Sequence, residues 1–212
     1  MGLEFTGLFN HWADSYDDTV AGHDPEYQDV FRGYDDILNH VVHETISPVL
    51  EFGTGTGNLT QKLLTNGFKV YGIEPSQAMR RKTKEKLPNL KLSKGDFLTF
   101  DNPERPIQSI VSSYAFHHLT DDEKDLAIEQ YCEHLPQGGK IVFADTLFAN
   151  QQSRERLLQE TKQKGFTNLL HDLQTEYYTF KDNLASIFAK HGFDVEFKQL
   201  NAFVWLITAV KL

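Results

Sequence analysis

Apolar positions along the chain follow two rhythms. Between residues 26 and 46, Tyr27, Val30, Phe31, Tyr34, Ile37, Leu38, Val41, Val42 and Ile46 recur at steps of three and four. That spacing predicts one amphipathic helix, with Pro25 in its first turn and Pro48 beyond its end. Upstream, Phe5, Leu8, Phe9 and Trp12 predict a short amphipathic segment leading to a polar loop at Gly22-His23-Asp24. After Pro48 the apolar runs shorten to four to seven residues and read as strands: Val49 to Phe52, Phe68 to Ile73, Leu90 to Lys94, Ile107 to Ser113 and Lys140 to Thr146. Between them lie helical stretches at Asn58 to Leu64, Pro75 to Leu87, and Thr120 to Leu135. The last opens with a Thr120…Glu123 capping box.

Strand and helix therefore alternate from 48 to 146, which predicts parallel strands joined by right-handed helical crossovers. The ending differs. Residues 151–164 and 182–191 read as helices. Val195 to Leu200 and Phe203 to Lys211 are strands too close in sequence to be anything but a hairpin, so the final strand should run antiparallel. The expected fold is an α/β three-layer sandwich: a mostly parallel seven-stranded sheet with a C-terminal antiparallel hairpin strand, plus N-terminal helices. With 212 residues, one domain over 1–212 is expected. Its segments read as an N-terminal helical cover (1–47), a cofactor-binding core (48–146), a lid (147–180), and a C-terminal helix and hairpin (181–212).

Composition narrows the class. Hydrophobic residues make up 40% and charged residues 24%, an ordinary globular balance. The formal net charge of −9 disfavours a nucleic-acid partner, which would need clustered Lys and Arg. The densest basic run, Arg80, Arg81, Lys82, Lys84 and Lys86, reads as the solvated face of a helix. Cys132 is the only cysteine, so no internal disulfide forms. The opening carries Glu4, Asp14, Asp17 and Asp18 without an apolar run, and Phe203 to Val210 is too short to span a bilayer. A cytoplasmic protein with no membrane partner is expected.

The chemistry gathers around Glu51-Phe52-Gly53-Thr54-Gly55-Thr56-Gly57, at the carboxyl end of the first strand, where open α/β sheets place ligands. The spacing is G-x-G-x-G. A dinucleotide fingerprint needs G-x-G-x-x-G, and the last position holds Asn58 or Thr60 in the two registers. A Walker loop needs a lysine, and none occurs between Glu51 and Gln61. Glu74 ends the second strand about twenty residues beyond the glycine loop, the interval at which an acid reaches a ribose diol. Asp96 follows the third strand and can accept from an exocyclic adenine amine, while Phe97 can offer a backbone N–H. Three acids at three consecutive strand ends suit a ligand with a cationic end, and Glu51 would favour that charge directly or through water.

These residues carry a resemblance. Leu50 to Gly57, Gly72-Ile73-Glu74 and Gly95-Asp96-Phe97 are similar to the first three motifs of the class I, Rossmann-like S-adenosylmethionine-dependent methyltransferases. Ser113 to Leu119 resembles the segment after that family's fourth strand, and Gly138-Gly139-Lys140 the turn before its fifth. Across the whole chain, with the opening Phe9-x-x-Trp12-Ala13-x-x-Tyr16-Asp17, it resembles the YrrT-like methyltransferases. The resemblance implies S-adenosylmethionine as cofactor, S-adenosylhomocysteine as product, and contacts from Gly53, Glu74, Asp96, Glu51, Gly55, Phe97 and Tyr114.

Methyl transfer to a small molecule is an in-line displacement at an activated carbon, so alignment and exclusion of water can suffice. A base is needed only where the acceptor must lose a proton. Tyr16, His117, His118 and Asp145 are the candidates for such roles. The histidine pair reads first as packing against the sheet, then as a general base, and no metal is expected. Two other readings stand beside the methyltransferase: an NAD-dependent oxidoreductase, which Glu74 would serve equally well, and a non-catalytic S-adenosylmethionine-binding protein. The acceptor and the oligomeric state are not readable from the residues.

Overall fold

The computed structural model describes Gly7 and residues 12–103 and 106–212. The apolar positions Phe5, Leu8 and Phe9 lie outside the described residues. Among the described residues seven strands form one sheet: β1 (Val49–Phe52), β2 (Val70–Ile73), β3 (Lys91–Ser93), β4 (Ser109–Ser113), β5 (Lys140–Thr146), β6 (Phe193–Gln199) and β7 (Val204–Lys211). Their order is β3-β2-β1-β4-β5-β7-β6. The first five run parallel, and β7 pairs antiparallel with both β5 and β6. The chain reverses between β1 and β4, placing a crevice at the carboxyl ends of those strands.

Successive strand residues face opposite sides, and the two sides hold separate apolar layers. Leu50, Phe52, Ile110, Ile141 and Phe143 pack with α4 (Asp121–His134) and α7 (Lys181–Lys190), where Ile128, Tyr131, Leu184 and Phe188 are buried. Val49, Val111, Val142 and Ala144 face the other layer, built on α1 (Tyr34–Glu44) and α2 (Asn58–Thr65). Each large apolar side chain taken fully from water contributes about 1.5–3 kcal/mol, so the two layers are the main stabilising mass. Further helices are α3 (Gln77–Lys86), α5 (Gln151–Lys164) and α6 (Thr167–Thr175), and short helical turns cover Tyr16–Asp18, Thr19–His23 and Phe116–His118. Among the described residues no helix is long and apolar enough to cross a membrane.

The long helix expected over 26–46 is corrected. Only α1 is helical there, because Gly33 adopts φ 75° in the left-handed region and interrupts the winding. Residues 25–30 form turns, begun by Asp24 Oδ1 accepting the Glu26 N–H at 2.9 Å. The apolar stripe nevertheless selected the right side chains: Tyr27, Val30, Phe31, Ile37, Leu38, Val41 and Val42 are buried, and Ile46 is exposed. Pro75 also sits outside its helix, since Ser76 is the cap, its side chain accepting from the Met79 N–H. The capping box at Thr120 and Glu123 forms as expected.

The basic face of α3 is not left wholly to solvent. Lys82 meets Asp14 at 2.8 Å, and Lys86 meets Asp17 at 3.6 Å. Asp17 also accepts from Thr56 Oγ1 at 2.6 Å and from Asn58 Nδ2 at 3.0 Å. The N-terminal segment is thereby tied across the glycine loop.

Candidate active site

The glycine loop leaves β1 with a left-handed glycine at every second position, Gly53 (φ 66°), Gly55 (φ 56°) and Gly57 (φ 87°). At Gly53 the need for glycine is double, because a Cβ there would stand 3.0 Å from the Ala115 Cβ. At Gly55 a Cβ would meet no protein atom within 4 Å, so the missing side chain leaves open space beside the backbone. A cavity opens here, lined by Tyr16, Gly53, Gly55, Glu74, Met79, Asp96, Phe97, Tyr114 and His118, among others.

Glu74 closes one wall of that cavity. Its Oε2 accepts the Gly55 N–H at 2.9 Å and its Oε1 accepts the Ser76 N–H at 2.8 Å. Burial pushes its carboxyl up to about 7, against the pull of those two N–H groups and of Arg80. Arg80 holds the neighbouring backbone by donating to the Glu74 and Pro75 carbonyls, both at 2.7 Å. Asp96 caps its own turn, Oδ1 accepting from the Leu98 and Thr99 N–H groups at 2.8 and 2.9 Å, and also lines the cavity. Turn capping and ligand contact are compatible, since an ionised carboxylate has about four acceptor positions. Phe97 turns its ring into the core, where it stacks on Phe52.

Glu51 is placed differently from the other two acids. It is buried beneath the loop, its Oε2 accepting from Thr60 Oγ1 at 2.7 Å, and it does not line the cavity. Burial pushes its carboxyl up to about 8; Thr60 opposes this and the charge of Glu74 adds to it. Tyr114 is the one described non-glycine residue with positive φ, at 53°. Its strained backbone is held by the Tyr114 N–H donating to the Ala144 carbonyl at 2.9 Å.

A second cavity abuts the first. Tyr16, Tyr114 and His118 line both. Its walls are aromatic and apolar, including Trp12, Tyr27, Phe31, Leu169 and Phe203, and its polar end is His117, His118, Asp172, Glu176 and Tyr178. His117 Nδ1 lies 2.5 Å from Asp145 Oδ1, and the His117 backbone N–H donates to Asp145 Oδ2 at 3.0 Å. The His117 ring stacks on Tyr178, with centroids 4.9 Å apart. His118 Nδ1 donates to the Ala115 carbonyl at 2.9 Å. Both Nε2 atoms turn to Glu176, at 3.4 Å from His117 and 3.6 Å from His118. Burial alone would raise Asp145 and Glu176, but the two imidazoles outweigh it and hold both below the usual carboxylate range. Burial depresses His118, with the neighbouring His117 adding to the effect.

Of the residues picked out in the sequence, the fold brings Tyr16, Gly53, Gly55, Glu74, Asp96, Phe97, Tyr114 and His118 around one cavity. His117 joins through the second cavity. Asp145 stands behind His117, where it orients the ring and lines neither cavity. Sequence reading missed Met79, Asp172 and Glu176. The Glu176-Tyr177-Tyr178 run, an acid beside aromatic residues in the expected lid, was the available signal for the last of these.

Known proteins bear on this site. Residues 49–139 match the family model described as a methyltransferase domain. An uncharacterized methyltransferase of Geobacillus sp. (strain WCH70) is 55% identical over 212 residues, covering 100% of both chains. One of Bacillus mycoides (strain KBAB4) is likewise 55% identical over 212 residues, covering 100% of both. Among solved structures, Streptomyces venezuelae DesVI superposes with a TM-score of 0.66 at 18% identity, over 94% of this chain and 98% of that one. The magnesium protoporphyrin IX methyltransferase of Synechocystis PCC 6803 with bound SAM gives 0.64 at 14% identity, over 88% and 84%. With full-length relatives at this identity and a sheet of this order, the chain belongs to the class I S-adenosylmethionine-dependent methyltransferases.

Proposed function

We propose that the chain transfers the methyl group of S-adenosylmethionine to a small molecule held in the second cavity. The observation that carries this reading is the shared wall: Tyr16, Tyr114 and His118 border both chambers, so donor and acceptor would meet there. The first cavity fits the donor. The open side of Gly55 admits a ligand, and Glu74, already oriented by two backbone N–H groups, would take the ribose diol. Asp96 would accept from the adenine amine, with Phe97 offering its backbone N–H. Tyr16 and Tyr114 would put aromatic faces near the cationic sulfur. Glu51 would act at one remove, through the loop and Thr60.

When bound, S-adenosylmethionine supplies a methyl carbon already activated by its sulfonium. The protein's part is to align the acceptor and exclude water. The segments 12–33 and 151–180 would serve as cover and lid. They are joined by Tyr27 donating to Asp172, and by Glu26 accepting the Asn168 and Leu169 N–H groups at 2.8 and 3.1 Å. The acceptor's reacting atom would sit at the polar end, beside His117, His118 and Glu176. A methyl-transfer screen of a metabolite extract with labelled S-adenosylmethionine tests the reading. A labelled product that disappears with Glu74→Ala supports it. S-adenosylhomocysteine binding without turnover of any acceptor would favour the non-catalytic binding protein instead.

A further inference from the structure

We infer that His117, His118 and Glu176 form a site for a divalent cation of the zinc type at the polar end of the acceptor cavity. Among the described residues they are the group of side chains whose donor atoms all lie within 4.8 Å of one another. The tautomers carry the argument. A backbone carbonyl only accepts, so the Nδ1 of His118, at 2.9 Å from the Ala115 carbonyl, must bear the proton. Asp145 takes two backbone N–H groups, from His117 and Thr146, as an ionised carboxylate does, so the Nδ1 of His117 bears a proton too. The remaining nitrogen of each ring, Nε2, faces the carboxylate of Glu176, and in a metal-bound site both rings would be neutral and bind through it. Two imidazole nitrogens and an anion converge on one place, where a cation would bridge all three.

The spacing suits an ion. Two atoms bonded to one tetrahedral zinc at about 2.0–2.1 Å stand about 3.3 Å apart. His117 Nε2 lies 3.4 Å from Glu176 Oε2 and His118 Nε2 lies 3.6 Å from Glu176 Oε1, so each ring faces one oxygen of the carboxylate. The surroundings match as well: metal-binding histidines donate their other N–H to a carboxylate or a carbonyl, and Asp145 and Ala115 do so here. Tyr178, donating to Glu176, fixes the third ligand in the same way. A general base would need only His117 and Asp145. It gives no account of His118 repeating the arrangement onto the same carboxylate.

Two imidazoles and a carboxylate leave a coordination position open, and these three residues line the second cavity. The group that completes the site is therefore the acceptor's own donor atom, a thiol or a hydroxyl, whose acidity the cation raises. This substrate class rests on the reading of that cavity as the acceptor chamber; the cation site itself does not.

The test uses the full chain, without an affinity tag and dialysed against chelator, titrated with Zn²⁺ and separately with S-adenosylhomocysteine. One zinc per chain is expected. Its affinity should fall at least tenfold in both Glu176→Gln and His118→Asn, while Co²⁺ in the parent protein should give the visible absorption of a four-coordinate site. Failure to hold zinc at one per chain while S-adenosylhomocysteine still binds would overturn the inference and leave the proposed function standing. Equal zinc affinity in parent and both variants would also overturn it, placing the ion on surface histidines, with a proton on His117 left as the bridging charge. Zinc bound through Glu176 without any binding of S-adenosylhomocysteine would uphold the site and remove the methyltransferase reading.

Discussion

Glu74 is a carboxylate removed from water yet aimed into a cavity, with one oxygen on the Gly55 N–H and the other on the Ser76 N–H. A group so placed is costly to bury and recovers that cost when a ligand donates to it. Glu74→Ala should weaken S-adenosylhomocysteine binding by about 1–3 kcal/mol by isothermal titration, and Asp96→Ala by a similar amount. An unchanged affinity in either would remove that residue from the site. Gly53→Ala should lower stability by about 1–3 kcal/mol in denaturant titrations, because φ 66° is strained for any side chain and the new Cβ would press on Ala115. At this scale the spacing of Gly53, Glu74 and Asp96 was enough to pick out residues that the fold brings around one cavity. Glu176 was not legible, because its partners lie 58 and 59 residues upstream and only the fold brings them together.

The two segments flanking the parallel core add polar ties to the apolar packing of Val20, Tyr27, Val30, Phe31, Leu169 and Leu173. Asp17 bridges Thr56, Asn58 and Lys86, and Tyr27 donates to Asp172 on α6. Tyr27→Phe removes one tie and leaves a half-buried carboxylate without its donor. It should cost about 1.5–3 kcal/mol in the denaturant midpoint, the range for hydrogen bonds to charged groups. A cost near zero would show that Tyr27 does not join the two segments. Element types were largely readable from the chain, since the period changes at Pro48 and the hairpin after Gly192 leaves no room for a crossover. The failure at 26–46 has a local cause: a buried stripe at helical spacing does not require a helix when Gly33 and an Asp24 turn can present the same side chains.

Across the whole molecule, the two carboxyls that burial raises furthest shape how stability changes with pH near neutrality. Glu51 is pushed up to about 8 and Glu74 to about 7, with Thr60, the Gly55 and Ser76 N–H groups, and Arg80 opposing the shift. Between the ordinary carboxylate range and these values the folded chain holds more protons than the unfolded one. Their contribution is therefore complete below about pH 4.5 and lost as pH rises through 7 to 8. Thermal unfolding without ligand should show a falling midpoint from about pH 6 to pH 8, and Glu51→Gln should flatten it. A midpoint that rises over that interval would contradict the burial of these charges. The central claim is that the glycine loop and the acids at the strand ends hold an adenosine with a cationic sulfur, and not a dinucleotide. Isothermal titration of the full chain with S-adenosylhomocysteine and with NADH tests it most directly. One S-adenosylhomocysteine per chain and no saturable heat with NADH are expected; saturable NADH binding with none for S-adenosylhomocysteine would show a dinucleotide site instead.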